Sequence, residues 1–451
     1  MNKRGSSVQM TAREAALKAL GAFRRNKAWS ELALSGIINN VKITQADAAL
    51  ATQIVYGVLQ NKHLCDFYSA HFSTINLKRI EPRVLDVLRI SIYQMVFLTR
   101  VPHSAAVNEG VALAKKFAND RAAGFVNALL RKVSNAVSAR ELPEVTGIPE
   151  YVLSVKYSHP EWLVREFCSL LGYDSAEKLL EANNSSDPLV AQVNTLLANT
   201  DEVISMLEAD GVSAERHKWL EDCIVFSGAG NLTSLDAFKK GRIYIQDAAS
   251  KLAVVAAGPK KGDFVIDGCA APGGKSFTAA IMTGDSCRIA ACDISPARLG
   301  LIKDGAERLG IRCIETVERD SSEHSDEYRG IADVVLADVP CSGFGVIRKK
   351  PEIRYKTEVD VTSLPDVQKR IISALSDCVA PGGTLLYSTC SVMKRENEDV
   401  VEWFLRKNSN FAPEAFSLPG IGEIDSGMVT LWPHVNGTDG FFICKLRKCR
   451  D

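Results

Sequence analysis

The sequence has 451 residues, with 54 basic and 54 acidic side chains, 46% hydrophobic residues and 24% charged residues. This composition is typical of globular proteins and excludes a disordered, collagen-like or disulfide-scaffold chain. At roughly 150 residues per domain, the length predicts about three domains. No apolar run approaches the roughly 18 residues that a membrane span needs, and the opening segment lacks the apolar core of a signal peptide.

These features lead us to expect a cytoplasmic protein with reduced thiols. The 12 cysteines include no C-x-x-C pair. Two close pairs, Cys287 with Cys292 and Cys444 with Cys449, lack the additional His or Cys ligands of a zinc site. We therefore expect no metal centre, no association with a membrane and a monomeric protein.

The zero net charge conceals an uneven distribution along the chain. Residues 1–150 carry 20 Lys and Arg against 11 Asp and Glu, whereas the remainder carries 34 and 43. A basic first third favours an anionic partner such as a nucleic acid. A well-solvated helical surface is the alternative, because charge bears on association and not on fold.

The first 140 residues have the patterns of a helical bundle. Thr11 with Glu14 forms the signature of a capping box. Pro82 fits the first turn of an apolar helix that we expect to be central and buried. We predict an all-α domain over residues 1–140.

A segment near residues 139–151 contains two prolines and a glycine and is typical of a linker. Helical patterns follow it, and then short strand-like segments. We predict a small α+β module over residues 150–240.

Strand-like and helical segments alternate from about residue 240, which predicts a mainly parallel sheet with helices on both faces over residues 241–451. Such sheets bind ligands at the carboxyl ends of their strands. Chemically useful residues stand at the ends of four predicted strands: Asp267, Asp293, Asp338 and the run Ser388–Cys390.

The segment D-G-C-A-A-P-G-G-K, residues 267–275, follows one of these strands and opens a helix. Its paired glycines permit a tight turn and a close approach of the backbone to a ligand. It matches neither the dinucleotide motif nor the P-loop. Asp293, at the end of the next strand, suits a ribose diol. A glycine turn followed by an acidic helix cap is the alternative.

Two cysteines stand after two further strands. Cys341 lies in D-V-P-C-S-G-F-G, which begins at Asp338, and Cys390 lies in Y-S-T-C-S. A single free cysteine is usually a small buried hydrophobic residue. Two cysteines beside an acid and a ligand-binding loop instead predict thiol chemistry.

These motifs resemble those of RNA cytosine-C5 methyltransferases that use S-adenosylmethionine. The segments VPHSAAVNEGVALAK and GFVNALLRKV resemble the NusB-type domain of the bacterial small-subunit ribosomal RNA methyltransferase B family, also called RsmB or Sun. SHPEWLV, RIYIQDAAS, ENEDVVEWF and GTDGFFICKL resemble the same family. The resemblance covers nearly the whole chain. It implies a multidomain protein with an all-α NusB-like bundle, a small α+β module and a Rossmann-like α/β methyltransferase domain.

The resemblance implies S-adenosylmethionine as the cofactor. Asp293 would hold its ribose hydroxyls, Asp320 would lie near its adenine, and Asp338 would border the same site. Asp304 and Asp326 are other acids available in the region of Asp320. The methionine end would be wrapped by the loop residues Cys269, Ala270, Ala271, Pro272, Gly273, Gly274 and Lys275.

The same resemblance implies how the reaction would proceed. Cys390 would be the nucleophile that adds to C6 of a cytosine in 16S ribosomal RNA, which makes C5 reactive toward the methyl group. Asp338 would hydrogen-bond the N3 edge of the base, and Cys341 would assist product release. The presence of Cys390 favours the RNA class over DNA methyltransferases, which use the Pro-Cys thiol as nucleophile. The base that removes the C5 proton is not identified.

A basic segment, I-R-K-K-P-E-I-R-Y-K, follows the Asp-Pro-Cys loop and suits a phosphate backbone and a stacked base. We expect it to contribute three RNA contacts: Arg348, Lys350 and Arg354. A solvated loop is the alternative. Asn127 and Arg131 are further candidates for RNA contacts, with a helix cap or a surface ion pair as the alternative.

Three positions depart from the usual family pattern. Val339 replaces a common alanine, Lys251 a common glutamine and Lys350 a common histidine. None removes a catalytic group, but Lys350 bears on the choice of RNA target. A transfer RNA cytosine-C5 methyltransferase stays open as an alternative, as does a non-catalytic RNA-binding or ribosome-assembly factor; the NusB-type segment favours ribosomal RNA.

Overall fold

The computed structural model describes residues 10–26, 34, 36–38, 43–185 and 189–450. The chain forms two compact units: Met1–Asn184 with Lys349–Lys356, and Ser185–Arg348 with Thr357–Asp451. The first division therefore falls later in the chain than the linker predicted near residues 139–151. No helix in the described ranges is both long and apolar enough to cross a membrane.

Among its described residues, the first unit contains helices and connecting loops but no strand. Thr44 caps one helix, because its side chain accepts a hydrogen bond from the Asp47 backbone N–H. Pro82 occupies the first turn of another helix. The α-helices are α1 (Ala12–Asn26), α2 (Gln45–Gln60), α3 (Lys62–Phe72), α4 (Pro82–Phe97), α5 (His103–Phe117), α6 (Asp120–Ala139), α7 (Pro149–Lys156), α8 (Glu161–Leu171) and α9 (Tyr173–Ala182).

Helix α4 lies at the centre of this unit and contacts α1, α2, α3, α5 and α6. Its residues Leu88, Ile90 and Ile92 are almost completely buried. Burying side chains of this size stabilises the fold by about 1.5–3 kcal/mol each. Helix α7 packs against α3, which explains why the compact unit extends past residue 140.

The segment Lys349–Lys356 belongs to the first unit through Arg354, which is fully buried. Burial lowers the pKa of its guanidinium to about 10. The prediction that Arg354 contacts RNA is therefore wrong for this structure, because the guanidinium is enclosed and engaged within the protein. It donates to the carbonyl oxygens of Gln60 (3.2 Å), Tyr157 (3.2 Å) and Asn183 (3.1 Å) and to Oδ1 of Asn184 (2.7 Å).

The second unit begins with a four-stranded antiparallel sheet in the order β2-β3-β1-β4. Helix α10 starts at a capping box formed by Asn199 and Glu202. The elements of this part are β1 (Leu189–Val193), α10 (Thr200–Ala209), β2 (Ser213–Arg216), β3 (Cys223–Ser227), α11 (Asp236–Lys239) and β4 (Ile243–Ile245).

A larger mixed sheet of eight strands follows. Five of its strands are parallel in the order β9-β8-β5-β6-β7, and β14 extends the sheet antiparallel to β9, with β10 and β13 paired to β14. The strands are β5 (Phe264–Asp267), β6 (Arg288–Asp293), β7 (Ile314–Glu318), β8 (Ala332–Asp338), β9 (Val379–Thr389), β10 (Phe411–Pro413), β13 (Met428–Leu431) and β14 (Phe441–Lys448). A separate pair consists of β11 (Phe416–Leu418) and β12 (Gly422–Ile424).

Helices lie in three of the connections between parallel strands, as crossover connections favour. Helix α13 (Gly274–Met282) joins β5 to β6, α14 (Pro296–Leu309) joins β6 to β7, and α15 (Glu358–Thr362) and α16 (Leu364–Ser376) lie between β8 and β9. The other helices of this part are α12 (Ala248–Ala257) before β5, α17 (Glu398–Lys407) after β9 and α18 (Pro433–Asn436) before β14. The predicted fold class is confirmed: a helical N-terminal part, a small α+β module and a C-terminal α/β domain whose sheet is mixed.

We expect Arg354→Ala to lower the stability of the first unit by about 3 kcal/mol, because several buried acceptors would lose their donor. Arg165→Ala is the matched control, since Arg165 forms an exposed ion pair with Glu161 and should change stability by less than about 0.5 kcal/mol. Urea unfolding combined with hydrogen exchange of α2 and α7 measures both effects. Equal stability of the two variants would contradict a structural role for Arg354.

Candidate active site

The glycine-containing loop joins β5 to α13 and has the tight geometry that its sequence predicts. Gly273 has a φ of 108°, in the region that favours glycine, and a Cβ added there would lie 2.5 Å from the Phe277 ring. A Cβ on Gly274 would lie 3.1 Å from the Gln246 amide nitrogen. The loop backbone therefore follows a path that larger residues would disturb.

Asp267 anchors the beginning of this loop. It is fully buried and accepts a hydrogen bond from the Ser276 hydroxyl at 2.7 Å, which ties β5 to α13. Burial raises the pKa of the Asp267 carboxyl to about 6. Asp267 holds the loop to α13 through Ser276 and is not among the residues that line the neighbouring cavity.

A cavity of about 260 Å³ opens beside the loop, at the carboxyl ends of the parallel strands. It contains three of the predicted cofactor residues, Cys269, Asp293 and Asp320. Apolar side chains with a few acceptors are what a nucleoside requires, so the residues present fit the adenosine part of the cofactor. The other lining residues are Gly268, Ile294, Arg298, Arg319, Ser321, Ser322, Pro340, Val367, Arg370 and Ile371.

Local hydrogen bonds fix the two carboxylates of this cavity. Asp293 accepts from the Ser295 backbone N–H at 3.0 Å and forms an ion pair with Arg298 at 3.1 Å. Asp320 accepts from the Ser322 backbone N–H at 2.9 Å, and this bond lowers the pKa of the Asp320 carboxyl. The sequence analysis did not identify Arg298, which also donates to the carbonyl of the loop residue Ala271 at 2.9 Å.

Loop residues 270–275 are not among the residues that line this cavity. Ala270 and Ala271 are buried, and the peptide between Ala271 and Pro272 is cis. Lys275 directs its ammonium group to Asp338, with Nζ 2.7 Å from Oδ2. The Lys275 ammonium also donates to the Ser250 hydroxyl at 2.9 Å.

Asp338 ends β8 and is held on both carboxylate oxygens. The Lys275 ammonium donates a hydrogen bond to Oδ2, and the Ser388 hydroxyl donates to Oδ1 at 2.8 Å. Ser388 lies directly opposite Asp338 in the parallel pairing of β8 with β9. Charge-assisted bonds of this kind fix the orientation of a carboxylate.

The two predicted cysteines meet at the ends of these strands. The Sγ atoms of Cys341 and Cys390 are 3.1 Å apart, and both residues are half-buried free thiols. The hydrogen bond with Cys390, together with burial, raises the pKa of the Cys341 thiol. Cys341 therefore keeps its proton at neutral pH and can donate to the sulfur of Cys390.

The sequence analysis did not identify a buried acid, Glu396, that lies behind the two thiols. Its carboxylate accepts hydrogen bonds from residues of both cysteine loops, Ser342 and Ser391. Glu396 lies in the segment ENEDVVEWF. This segment resembles the family, but it contains no motif that indicates a catalytic or binding role. Only the folded contacts identify it.

The predicted RNA contacts have different surroundings. Arg348 is buried and forms an ion pair with Asp439 at 3.3 Å, so the prediction that it contacts RNA is corrected as well. Lys350 is exposed. Asn127 and Arg131 are hydrogen-bonded to each other at 3.1 Å on α6. The described residues contain no cluster of three or more His, Cys, Asp or Glu side chains suited to a metal ion.

Family models match three parts of the chain. The NusB family matches residues 10–135, a ferredoxin-like domain of RsmF/B-like methyltransferases matches residues 159–233, and the 16S rRNA methyltransferase RsmB/F family matches residues 254–447.

Similar proteins match nearly the whole chain. A Bacillus subtilis protein named probable ribosomal RNA small subunit methyltransferase B is 34% identical over 97% of this chain and 99% of its own length. The crystal structure of PH0851 has a TM-score of 0.79 at 27% identity and covers 97% of this chain and 98% of that one. A methyltransferase homologue from Pyrococcus horikoshii has a TM-score of 0.58 at 28% identity, over 67% of this chain and all of its own. The resemblance found in the sequence is confirmed: this chain belongs to the 16S rRNA methyltransferase RsmB/F family.

Proposed function

We propose that this protein transfers a methyl group from S-adenosylmethionine to C5 of a cytosine in 16S ribosomal RNA. The observation that carries the proposal is the contact between Cys341 and Cys390 beside the paired carboxylate of Asp338. Membership of a 16S rRNA methyltransferase family supports the reaction class. The cavity that contains Asp293 and Asp320 supports the cofactor.

Cys390 is the nucleophile in this proposal. C5 of cytosine is a poor nucleophile, and addition of the Cys390 sulfur to C6 gives C5 the electron density that it needs. S-adenosylmethionine, when bound, supplies an electrophilic methyl group. Loss of the C5 proton then returns the electron pair to the ring and expels the Cys390 sulfur from C6.

Asp338 binds and orients the target base in this proposal. Lys275 and Ser388 hold the carboxylate in one orientation, as preorganised electrostatic stabilisation requires. Asp338 would face the N3 edge of cytosine, where its carboxylate can accept from the N4 amino group, and a proton between the carboxylate and N3 would offset the negative charge that develops as C6 is attacked. The base must leave its stack to reach this site.

Cys341 assists release of the product. Its S–H lies 3.1 Å from the Cys390 sulfur and can donate a hydrogen bond as that sulfur leaves C6. The raised pKa of the Cys341 thiol keeps the proton available at neutral pH. The two cysteines therefore have separate roles, one in attack and one in release.

We expect Cys390→Ala to reduce methyl transfer at least about 10³-fold, as loss of a nucleophile does in other enzymes. Cys449→Ala is the control, because Cys449 is exposed and lies outside the site. Incorporation of labelled methyl groups into 16S and transfer RNA measures the effect, with bisulfite sequencing to identify the base. Unchanged transfer by the Cys390 variant would contradict the nucleophile assignment, and labelling of transfer RNA alone would change the substrate.

We expect Cys341→Ala to accumulate a protein–RNA adduct that survives denaturation, because the leaving sulfur loses its hydrogen-bond donor. The adduct should require the cofactor and should be absent from the double variant Cys341→Ala/Cys390→Ala. A denaturing gel with labelled RNA detects it. If no adduct forms although Cys390 remains, the release role of Cys341 is wrong.

We expect Asp293→Asn to weaken binding of S-adenosylhomocysteine about tenfold, through loss of charge-assisted hydrogen bonds worth about 1.5 kcal/mol. Asp304→Asn is the control, since Asp304 is exposed on the neighbouring helix α14. Isothermal titration calorimetry without RNA gives both affinities. Equal affinities would contradict the placement of the ribose at Asp293.

A further inference from the structure

Glu396 accepts three hydrogen bonds although it is fully buried. Ser342 lies immediately after Cys341, and Ser391 lies immediately after Cys390, so one carboxylate contacts the neighbour of each thiol. The third donor comes from helix α16. The bonds run from the Ser342 backbone N–H to Oε2 (2.7 Å), from Gln368 Nε2 to Oε2 (3.1 Å) and from the Ser391 hydroxyl to Oε1 (2.9 Å).

Further bonds close the same assembly. The hydroxyls of Ser342 and Ser391 are 3.0 Å apart, and the Gly345 backbone N–H donates to the Cys390 carbonyl at 2.9 Å. Asn397 donates to the Ser391 carbonyl at 3.0 Å. The two cysteine loops are therefore held from both sides of the thiol contact.

The chemistry of residue 396 explains why an acid stands there. Among the described residues, no basic side chain forms an ion pair with Glu396, so its charge is compensated by neutral donors alone. Burying such a charge costs several kcal/mol unless hydrogen bonds satisfy it. A glutamine in its place would offer one acceptor oxygen and would turn an N–H₂ group toward groups that already donate. A site with three converging donors therefore favours a carboxylate despite the cost of burial.

We propose that Glu396 is a positioning residue that holds Cys341 and Cys390 at contact distance. This inference rests on the proposed function, because it explains how the thiol that attacks and the thiol that assists release stay close to each other. Glu396 contacts neither thiol sulfur in the structure and acts through Ser342 and Ser391. Catalytic geometry of this kind depends on supporting hydrogen bonds, since displacement by about 1 Å is enough to slow a reaction 10²-fold.

A trivalent arsenical tests the thiol spacing without RNA or cofactor. Phenylarsine oxide bridges two thiols only when they are close together. Cys287 and Cys313 form a second close pair, with sulfurs 3.8 Å apart, so every protein in the test carries Cys287→Ala. In that background, arsenical binding should require Cys341 and be lost in Cys341→Ala.

We expect Glu396→Gln to weaken arsenical binding at least tenfold in the same background. Glu402→Gln is the matched control, because Glu402 lies on α17 in an exposed ion pair with Arg406. Ser391→Ala removes one donor and keeps the carboxylate, so it should weaken binding about threefold and serves if the glutamine variant fails to fold. Unchanged arsenical affinity in folded Glu396→Gln overturns the proposal.

Turnover supplies the second measurement. Glu396→Gln should lower kcat for methyl transfer about 10–100-fold and leave the KM for RNA and the affinity for S-adenosylhomocysteine unchanged. A lower kcat with unchanged arsenical affinity would also overturn the positioning role. Because arsenical binding does not depend on methylation, a failure of the proposed function and a failure of this inference give different results.

Discussion

The pairing of β8 with β9 is the constraint on which the chemistry of the second unit depends. Their parallel register places Asp338 opposite Ser388, and the chain leaves both strands at the same edge of the sheet. The loops that follow therefore bring Cys341 and Cys390 together although the residues are far apart in sequence. A shift of register by one residue would turn the side chains of one strand to the other face. The contact between the sulfurs is thus a consequence of the sheet geometry.

The carboxylates of three acids near this edge have three different sets of partners. Asp338 is paired with Lys275, and this bond fixes the orientation of its carboxylate. Glu396 is satisfied by uncharged donors from three parts of the chain. Asp267 has a raised pKa of about 6, since burial dominates its surroundings. These arrangements have different consequences, because the bonds from Lys275 and Ser388 fix the orientation of the Asp338 carboxylate, whereas the bonds to Glu396 join loops that are distant in sequence.

The sequence was enough to predict that the residues of the candidate site lie together where those residues directly follow recognisable strands. The loop of residues 267–275, Asp293 and the two cysteines each follow a recognisable strand, so their meeting at one sheet edge follows from the general properties of parallel sheets. Glu396 could not be found in this way, because its role depends on donors from loops and a helix that are distant in sequence. The burial of Arg348 and Arg354 could not be predicted for a related reason, because composition does not reveal which charged side chains are buried.

Two of the positive charges in the basic segment after Cys341, those of Arg348 and Arg354, are buried. Each guanidinium is buried within its own compact unit, one paired with Asp439 and the other bound to carbonyl oxygens. Arginine suits such sites because its planar group donates in several directions at once. Of the three RNA contacts predicted in this segment, only Lys350 is an exposed residue. The charge that this segment exposes at residue 350 is therefore an ammonium, a point charge without the fixed planar geometry of the arginine guanidinium.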